Sequence, residues 1–153
     1  MEQEFVSDRA YVAVLRDGCV LQEHSVYAAT PRGPGFGRWA LPGGGLLPGE
    51  SFADAATREA REELGCGVIL GPVGAITEFL QQRTGERSVH LVFGARIEPG
   101  DEPRVPEDQP DDPDSGRVTE LRWLAAADLP DHLAWLRDII EGRIACHYEL
   151  HRH

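Results

Sequence analysis

The sequence predicts a single α/β domain in which a mixed sheet is clasped between helices. Its 153 residues suit one domain, long enough to bury roughly two-thirds of the unfolded chain's surface. Apolar and alternating runs of strand character recur along it with short connections. Only two helical segments interrupt them, one in mid-chain and one near the end, which argues against a doubly wound Rossmann arrangement.

Tyr11, Val12, Val14 and Leu15 mark a buried strand over Arg9 to Leu15. Asp17-Gly18 is a hairpin signal, and strand character resumes from Cys19 to Ala29. Pro31, Gly33, Pro34, Gly35 and Gly37 make Thr30 to Gly37 a loop. Trp39 to Leu41 then lead into two expected turns, Pro42-Gly43-Gly44-Gly45 and Pro48-Gly49.

A helix is predicted over 51–64. Ser51 with Asp54 opens it in the manner of a capping box, Phe52, Ala56, Ala60 and Leu64 form an i+4 stripe, and Gly65 closes it. Val68 to Phe79 and Ser88 to Ile97 read as strands joined around Thr84-Gly85. Residues 98–117 are expected to be an exposed, acidic, proline-rich loop. From Glu98 to Glu120 there are nine acidic residues against two arginines, and five prolines that forbid a helix or central strand. Asp111 to Gly116 superficially resembles a calcium loop, but Pro113 and Ser115 stand where ligands are required. Val118 to Leu124 is the last expected strand. A second helix is predicted over about 130–144, with Leu133, Leu136, Ile140 and Ile144 on one side, followed by a solvated tail over 145–153.

The formal charge of −11 repels phosphate backbones, so a nucleic-acid-binding module is not expected. An acidic protein that handles phosphates needs metal ions to bridge like charges. All 15 basic residues are arginine and there is no lysine, which excludes a Schiff-base lysine and a lysine-dependent phosphate loop. Three widely spaced cysteines, Cys19, Cys66 and Cys146, form neither a disulfide framework nor a zinc cluster, and point to reduced thiols in a cytoplasm. No apolar run approaches a membrane span, and Met1 to Ser7 lack the apolar core of a signal peptide.

Chemistry concentrates in the predicted helix. Taking Glu59 as zero at 100° per residue, Glu62 falls at about 300° and Glu63 at about 40°, so three carboxylates share an arc of about 100° beside the apolar stripe. Their mutual repulsion costs a few tenths of a kcal/mol per i,i+4 pair. The same crowding is what a hard cation such as Mg²⁺ or Mn²⁺ requires. Arg58 is placed at i,i+4 to hold Glu62. Gly43-Gly44-Gly45, just upstream, permits unusual backbone conformations or a close approach by a ligand. Clustered glutamates alone are usually a solvated face; the glycine run and Glu50 beside them shift the reading toward a diphosphate-and-metal site.

Gly44, Glu50 and Arg58-Glu59-Ala60-Arg61-Glu62-Glu63-Leu64-Gly65 resemble the complete signature of the Nudix (MutT-like) hydrolases. Trp39-Ala40-Leu41-Pro42-Gly43-Gly44-Gly45 is similar to that family's lead-in, and Glu120 to Leu124 to its late strand. Cys66 replaces the larger aliphatic residue the family prefers.

The resemblance implies an α/β/α sandwich that hydrolyses a nucleoside diphosphate linked to another moiety, with Mg²⁺ or Mn²⁺ as cofactor. Carried over by position, Glu59, Glu62 and Glu63 are the expected metal ligands. Arg58 and Glu50 are expected to support helix and loop electrostatically and Gly44 to let the backbone turn, while Gly43, Gly44 and Gly45 together are candidate substrate-binding residues. Glu120 is the favoured general base outside the signature. Arg32 and Arg38 are candidate phosphate contacts, and Tyr27, Phe36 or Phe79 could stack on a base. Gln82, where ADP-ribose hydrolases of the family tend to carry proline, argues against that substrate. Arg83 and Thr84, where dinucleoside polyphosphate hydrolases carry tyrosine, argue against that one. The expected partner is a small nucleotide derivative, with neither nucleic acid nor membrane; a homodimer stays open. The alternative is a catalytically silent nucleotide-binding or sensor module on the same fold.

Overall fold

The computed structural model describes residues 7–109 and 116–153. Residues 111–115 of the calcium-like stretch and the first six residues lie outside them. Strands β1 (Arg9–Arg16) and β2 (Cys19–Tyr27) meet at Asp17-Gly18, whose φ angles of 52° and 73° are those a tight hairpin turn demands. Then follow β3 (Phe36–Ala40), β4 (Gly43–Gly45), helix α1 (Phe52–Leu64), β5 (Val68–Leu80), β6 (Arg87–Ile97) and β7 (Arg117–Ala125). Two 3₁₀ turns, Ala126–Asp128 and Asp131–Leu133, lead into helix α2 (Ala134–Ile140), and β8 (His147–Arg152) ends the chain.

The sheet runs β3-β2-β1-β6-β5-β8, with β4 also pairing β1 and β7 also pairing β2. It is mixed: β1 lies parallel to β6 and β5 to β8, while the other pairs are antiparallel. β1 and β2 pair only beside their turn, at Leu15↔Val20 and Arg16↔Cys19. Beyond it they diverge into a fork that residues 36–45 fill. β3 runs along β2, the chain crosses at Leu41-Pro42, and β4 runs along β1. The Pro42 carbonyl accepts from the Val12 N–H at 2.9 Å across the junction.

Alternation along the strands makes two cores. Val12, Val14 and Leu21 face α1 and pack with Ala55, Ala56, Ala60 and Leu64, the alanines letting the helix approach closely. Ala13, Val20 and Leu41 face the opposite side and pack with Leu129, Leu133 and Leu136. Burying a side chain such as Leu64 or Leu136 contributes roughly 1.5–3 kcal/mol. The predicted α/β/α sandwich follows directly.

Three expectations are corrected. Residues 43–45 are a strand, not a turn, and none has positive φ. The second helix is α2 alone, residues 134–140; Leu129 and Leu133 reach the same core from extended and 3₁₀ backbone, and Gly142, at φ 73°, closes the segment before Ile144. The tail over 145–153 contains β8, which pairs with β5 from Ala75↔His147 to Leu80↔Arg152. Ring stacking of His147 on Trp135 and of His151 on Phe79 fastens it. Among the described residues no helix is long and apolar enough to cross a membrane.

Candidate active site

Helix α1 begins where Ser51 accepts the Asp54 N–H at 3.0 Å and ends at Gly65, whose φ of 61° suits a left-handed cap. These local signals fix the register of everything the helix carries. Arg58 is its anchor. Its Nε and Nη2 donate to both Glu50 carboxylate oxygens at 2.8 and 2.9 Å, and Nη2 also donates to the Gly45 carbonyl at 3.0 Å. Nη1 donates to Glu59 at 2.9 Å and to Glu62 at 3.3 Å. Arg58 thereby ties the helix to β4 and to the loop before it. Hydrogen bonds from Arg58, with one from the Leu47 N–H, hold the Glu50 carboxyl down at about 2.

β4 lies against the carboxylates. A Cβ on Gly44 would stand 2.4 Å from Glu59 Oε1, and one on Gly43 would stand 2.3 Å from the Ala10 carbonyl. The glycines are therefore required for close approach rather than for unusual dihedral angles. They also lie beside the second half of α1, not at its N-terminus. The Gly43 N–H donates to Glu63 Oε2 at 2.9 Å.

Across from Glu63 stands a residue that sequence reasoning did not select. Glu23 on β2 is only 5% exposed, and its Oε2 has no hydrogen-bond partner. Burial raises it to about 7, with the nearby Glu59 carboxylate adding to the rise while Glu63 and Arg38 oppose it. Burial, then Glu23 and Glu59, push Glu63 well above the usual carboxylate range. Two acidic side chains thus meet carboxyl to carboxyl with a third beside them, an arrangement that holds only with a proton or a cation between them. The signal was an acidic residue directly after Val20-Leu21-Gln22 in a strand; its direction emerges only once Ala40 and Leu121 flank it in register.

Among the described residues no three acidic or imidazole side chains stand at coordination spacing as placed. Their oxygens are engaged instead by Arg58, the Gly43 N–H and one another. The donor set nevertheless fits a hard divalent cation: it is all carboxylate oxygen, it is in excess of nearby positive charge, and Glu23 Oε2 is buried without a partner. Glu62 is more exposed, 47% at its side chain against 13% for Glu59, and stands at the rim.

The structure does not bring Glu120 to this cluster. It is exposed on β7 opposite His24, so it shares the α2 side of the sheet, whereas Leu121, opposite Glu23, packs toward α1. Within the acidic loop, Asp101 accepts from the Gly67 N–H at 2.9 Å and the Arg104 N–H donates to the Leu64 carbonyl at 2.8 Å, so this part straps the end of α1.

Arg38 lies next to Glu23 in the other direction. It donates to the Tyr27 hydroxyl at 3.1 Å, and Tyr27 stacks on Phe36 with ring centroids 4.7 Å apart. Tyr27, Phe36 and Arg32 line an open cleft of about 290 Å³ with Thr30, Gly33 and Pro34. Phe79 stacks instead on His151, away from this cleft. Trp39 is half-buried on β3: the Arg122 guanidinium lies 4.0 Å over its ring, and the same guanidinium donates to Gln22.

A sandwich with a carboxylate helix under a glycine strand defines a Nudix-type hydrolase fold. The chain belongs to the NUDIX domain family, whose model matches residues 7–142. Among solved structures, a NUDIX hydrolase from Nitrosomonas europaea superposes with a TM-score of 0.65 at 18% identity, covering 99% of this chain and 82% of that one. A MutT NUDIX hydrolase from Burkholderia pseudomallei is 29% identical, with a TM-score of 0.56 and coverage of 92% and 99%. The nucleoside triphosphatase NudI of Salmonella schwarzengrund is 45% identical over 60 residues, 39% of this chain. The match spans 40% of the NudI length.

Proposed function

We propose that this protein is a Mg²⁺- or Mn²⁺-dependent pyrophosphohydrolase that cleaves a phosphoanhydride bond of a nucleotide or nucleoside-diphosphate derivative by attack of water at phosphorus. The observation that carries it is the convergence of Glu59 and Glu63 beneath the Gly43–Gly45 backbone, with Arg58 holding the assembly to Glu50.

Glu59 and Glu63 would hold the cation, with Glu62 at the rim. A divalent ion there supplies Lewis acidity toward phosphoryl oxygens and toward water. Arg58 fixes the carboxylates before substrate arrives, so little reorganisation accompanies the reaction. Arg38 stands between the carboxylates and the Tyr27–Phe36 stack, where a guanidinium can take a phosphate oxygen while the exposed Phe36 ring offers a face to a base. Arg32 lines the same cleft and can meet a terminal phosphate. The proton lost by the attacking water passes to a carboxylate of the α1 cluster, since Glu120 faces the other side.

The 45% identity shared with a nucleoside triphosphatase makes nucleoside triphosphates the first substrates to test. Release of phosphate or pyrophosphate from nucleoside triphosphates, and of nucleoside monophosphate from nucleotide sugars and ADP-ribose, with and without Mg²⁺ or Mn²⁺, checks the proposal. Metal-dependent turnover of at least one is expected. Nucleotide binding with no cleavage under any metal would make the chain a sensor module instead.

A further inference from the structure

We infer that Glu23 is a further protein ligand to the divalent cation, reaching it from strand β2, opposite the helix that carries Glu59 and Glu63. The inference rests on the metal-dependent reading above but concerns a residue outside the stretch from Gly44 to Cys66 that carries the family signature.

Three observations support it. First, Glu23 points to the α1 side: it is opposite Ala40 on β3 and Leu121 on β7, and Leu121 packs in the α1 core. Second, Glu23 is nine-tenths buried and more, its Oε2 has no partner, and its nearest acidic neighbours are the two residues assigned to the cation. An ionised carboxylate taken out of water is strongly disfavoured unless an opposite charge compensates it. Third, the protein supplies no such charge in full. Arg58 is committed to Glu50, Glu59, Glu62 and the Gly45 carbonyl, and Arg38 is engaged by the Tyr27 hydroxyl. A purely structural residue at this position would be neutral, as its neighbour Gln22 is. Gln22 faces the other side of the sheet and has its oxygen taken by Arg122 at 2.8 and 3.1 Å.

The ligand class follows from the donors. Carboxylate oxygens without nitrogen or sulfur suit Mg²⁺ or Mn²⁺. Three carboxylates from two elements, one a helix and one a strand, also fix the ion laterally, which carboxylates from a single helix do less well.

The test is a Mn²⁺ titration of the full chain, stripped of metal, followed by the loss of the free-ion EPR signal and by the metal-induced rise in Tm. E23Q keeps the shape of the side chain and removes only its charge. It is expected to fold, with a metal-free Tm equal to or above that of the parent protein, and to bind Mn²⁺ at least about tenfold more weakly, with a smaller metal-induced rise. Should E23Q fail to fold, E23D, which keeps the charge but withdraws the oxygens, must show the weakening. Unchanged Mn²⁺ affinity in the folded variant, while E59Q and E63Q lose it, would overturn the assignment of Glu23 and leave the wider reading standing. Absence of Mn²⁺ binding by the parent protein, with nucleotide present or not, would overturn both.

Discussion

The two faces of the sheet are built from alternating residues of the same strands, yet they solve opposite problems. On the α2 face Val20, Leu129, Leu133 and Leu136 close an apolar layer, and the buried Gln22 gives its oxygen to Arg122. One residue further along β2, on the α1 face, Glu23 meets two more carboxylates, and the nearby Arg38 guanidinium offsets them only in part. The α2 face is closed by that apolar layer, with Gln22 Nε2 left without a partner but carrying no charge. The α1 face leaves Glu23 Oε2 buried without a partner, and on the proposal made above a cation completes it.

Changes on the two faces should therefore separate stability from chemistry. The largest expected effect on stability belongs to the α2 face. Leu136, 1% exposed, packs in the core on the α2 side, and L136A should cost about 2–5 kcal/mol in urea unfolding while leaving kcat of the folded fraction within about twofold. G44A should do the reverse. Its Cβ would stand 2.4 Å from Glu59 Oε1, so Glu59 must move, and kcat should fall about 10²-fold with a smaller change in Tm. A third change sits at the start of α1: S51A removes the bond to the Asp54 N–H and should cost about 1 kcal/mol without altering metal affinity.

The shallowest effect is that of pH on the metal-free protein. Glu23, raised to about 7, and Glu63, raised with it, bind protons more tightly in the folded state than unfolded. Their contribution is therefore full below about pH 4.5 and declines as pH rises through about 7. Glu50, held near 2 by Arg58, acts oppositely: its contribution is present above about pH 4.5 and is lost as pH falls toward 2. Thermal unfolding in chelator should show Tm declining from pH 5 to pH 8, and E23Q should flatten that decline. An equal slope in the variant would place the cause elsewhere.

How much of this was legible depended on whether the signal was local. Helix α1 was, because Ser51, the alanine stripe and Gly65 lie within one contiguous stretch, and the Arg58–Glu62 contact follows from helical spacing. The glycine run was located but misread as a turn. Glycine serves both positive φ and close approach, and only the carboxylate behind Gly44 shows which applies. β8 was not legible: His147-Tyr148-Glu149-Leu150-His151-Arg152 has no apolar alternation, and the strand is held by distant β5 and by ring stacking. Glu23 was hidden for a related reason. A strand buried on both sides does not announce which side each residue faces, so an acidic residue in it is indistinguishable from a surface one until β3 and β7 are in register. The same register separates Glu120, chosen from sequence, from the site.

The contrast between the faces is tested most directly by initial rates of E63Q and E120Q side by side, with saturating Mg²⁺ and the best nucleotide of the panel. Glu63 on the α1 face should matter and Glu120 on the α2 face should not: kcat falls at least about 10³-fold in E63Q and stays within about threefold in E120Q. Equal activity of E63Q and the parent protein, or a collapse confined to E120Q, would contradict a catalytic centre under the glycine strand.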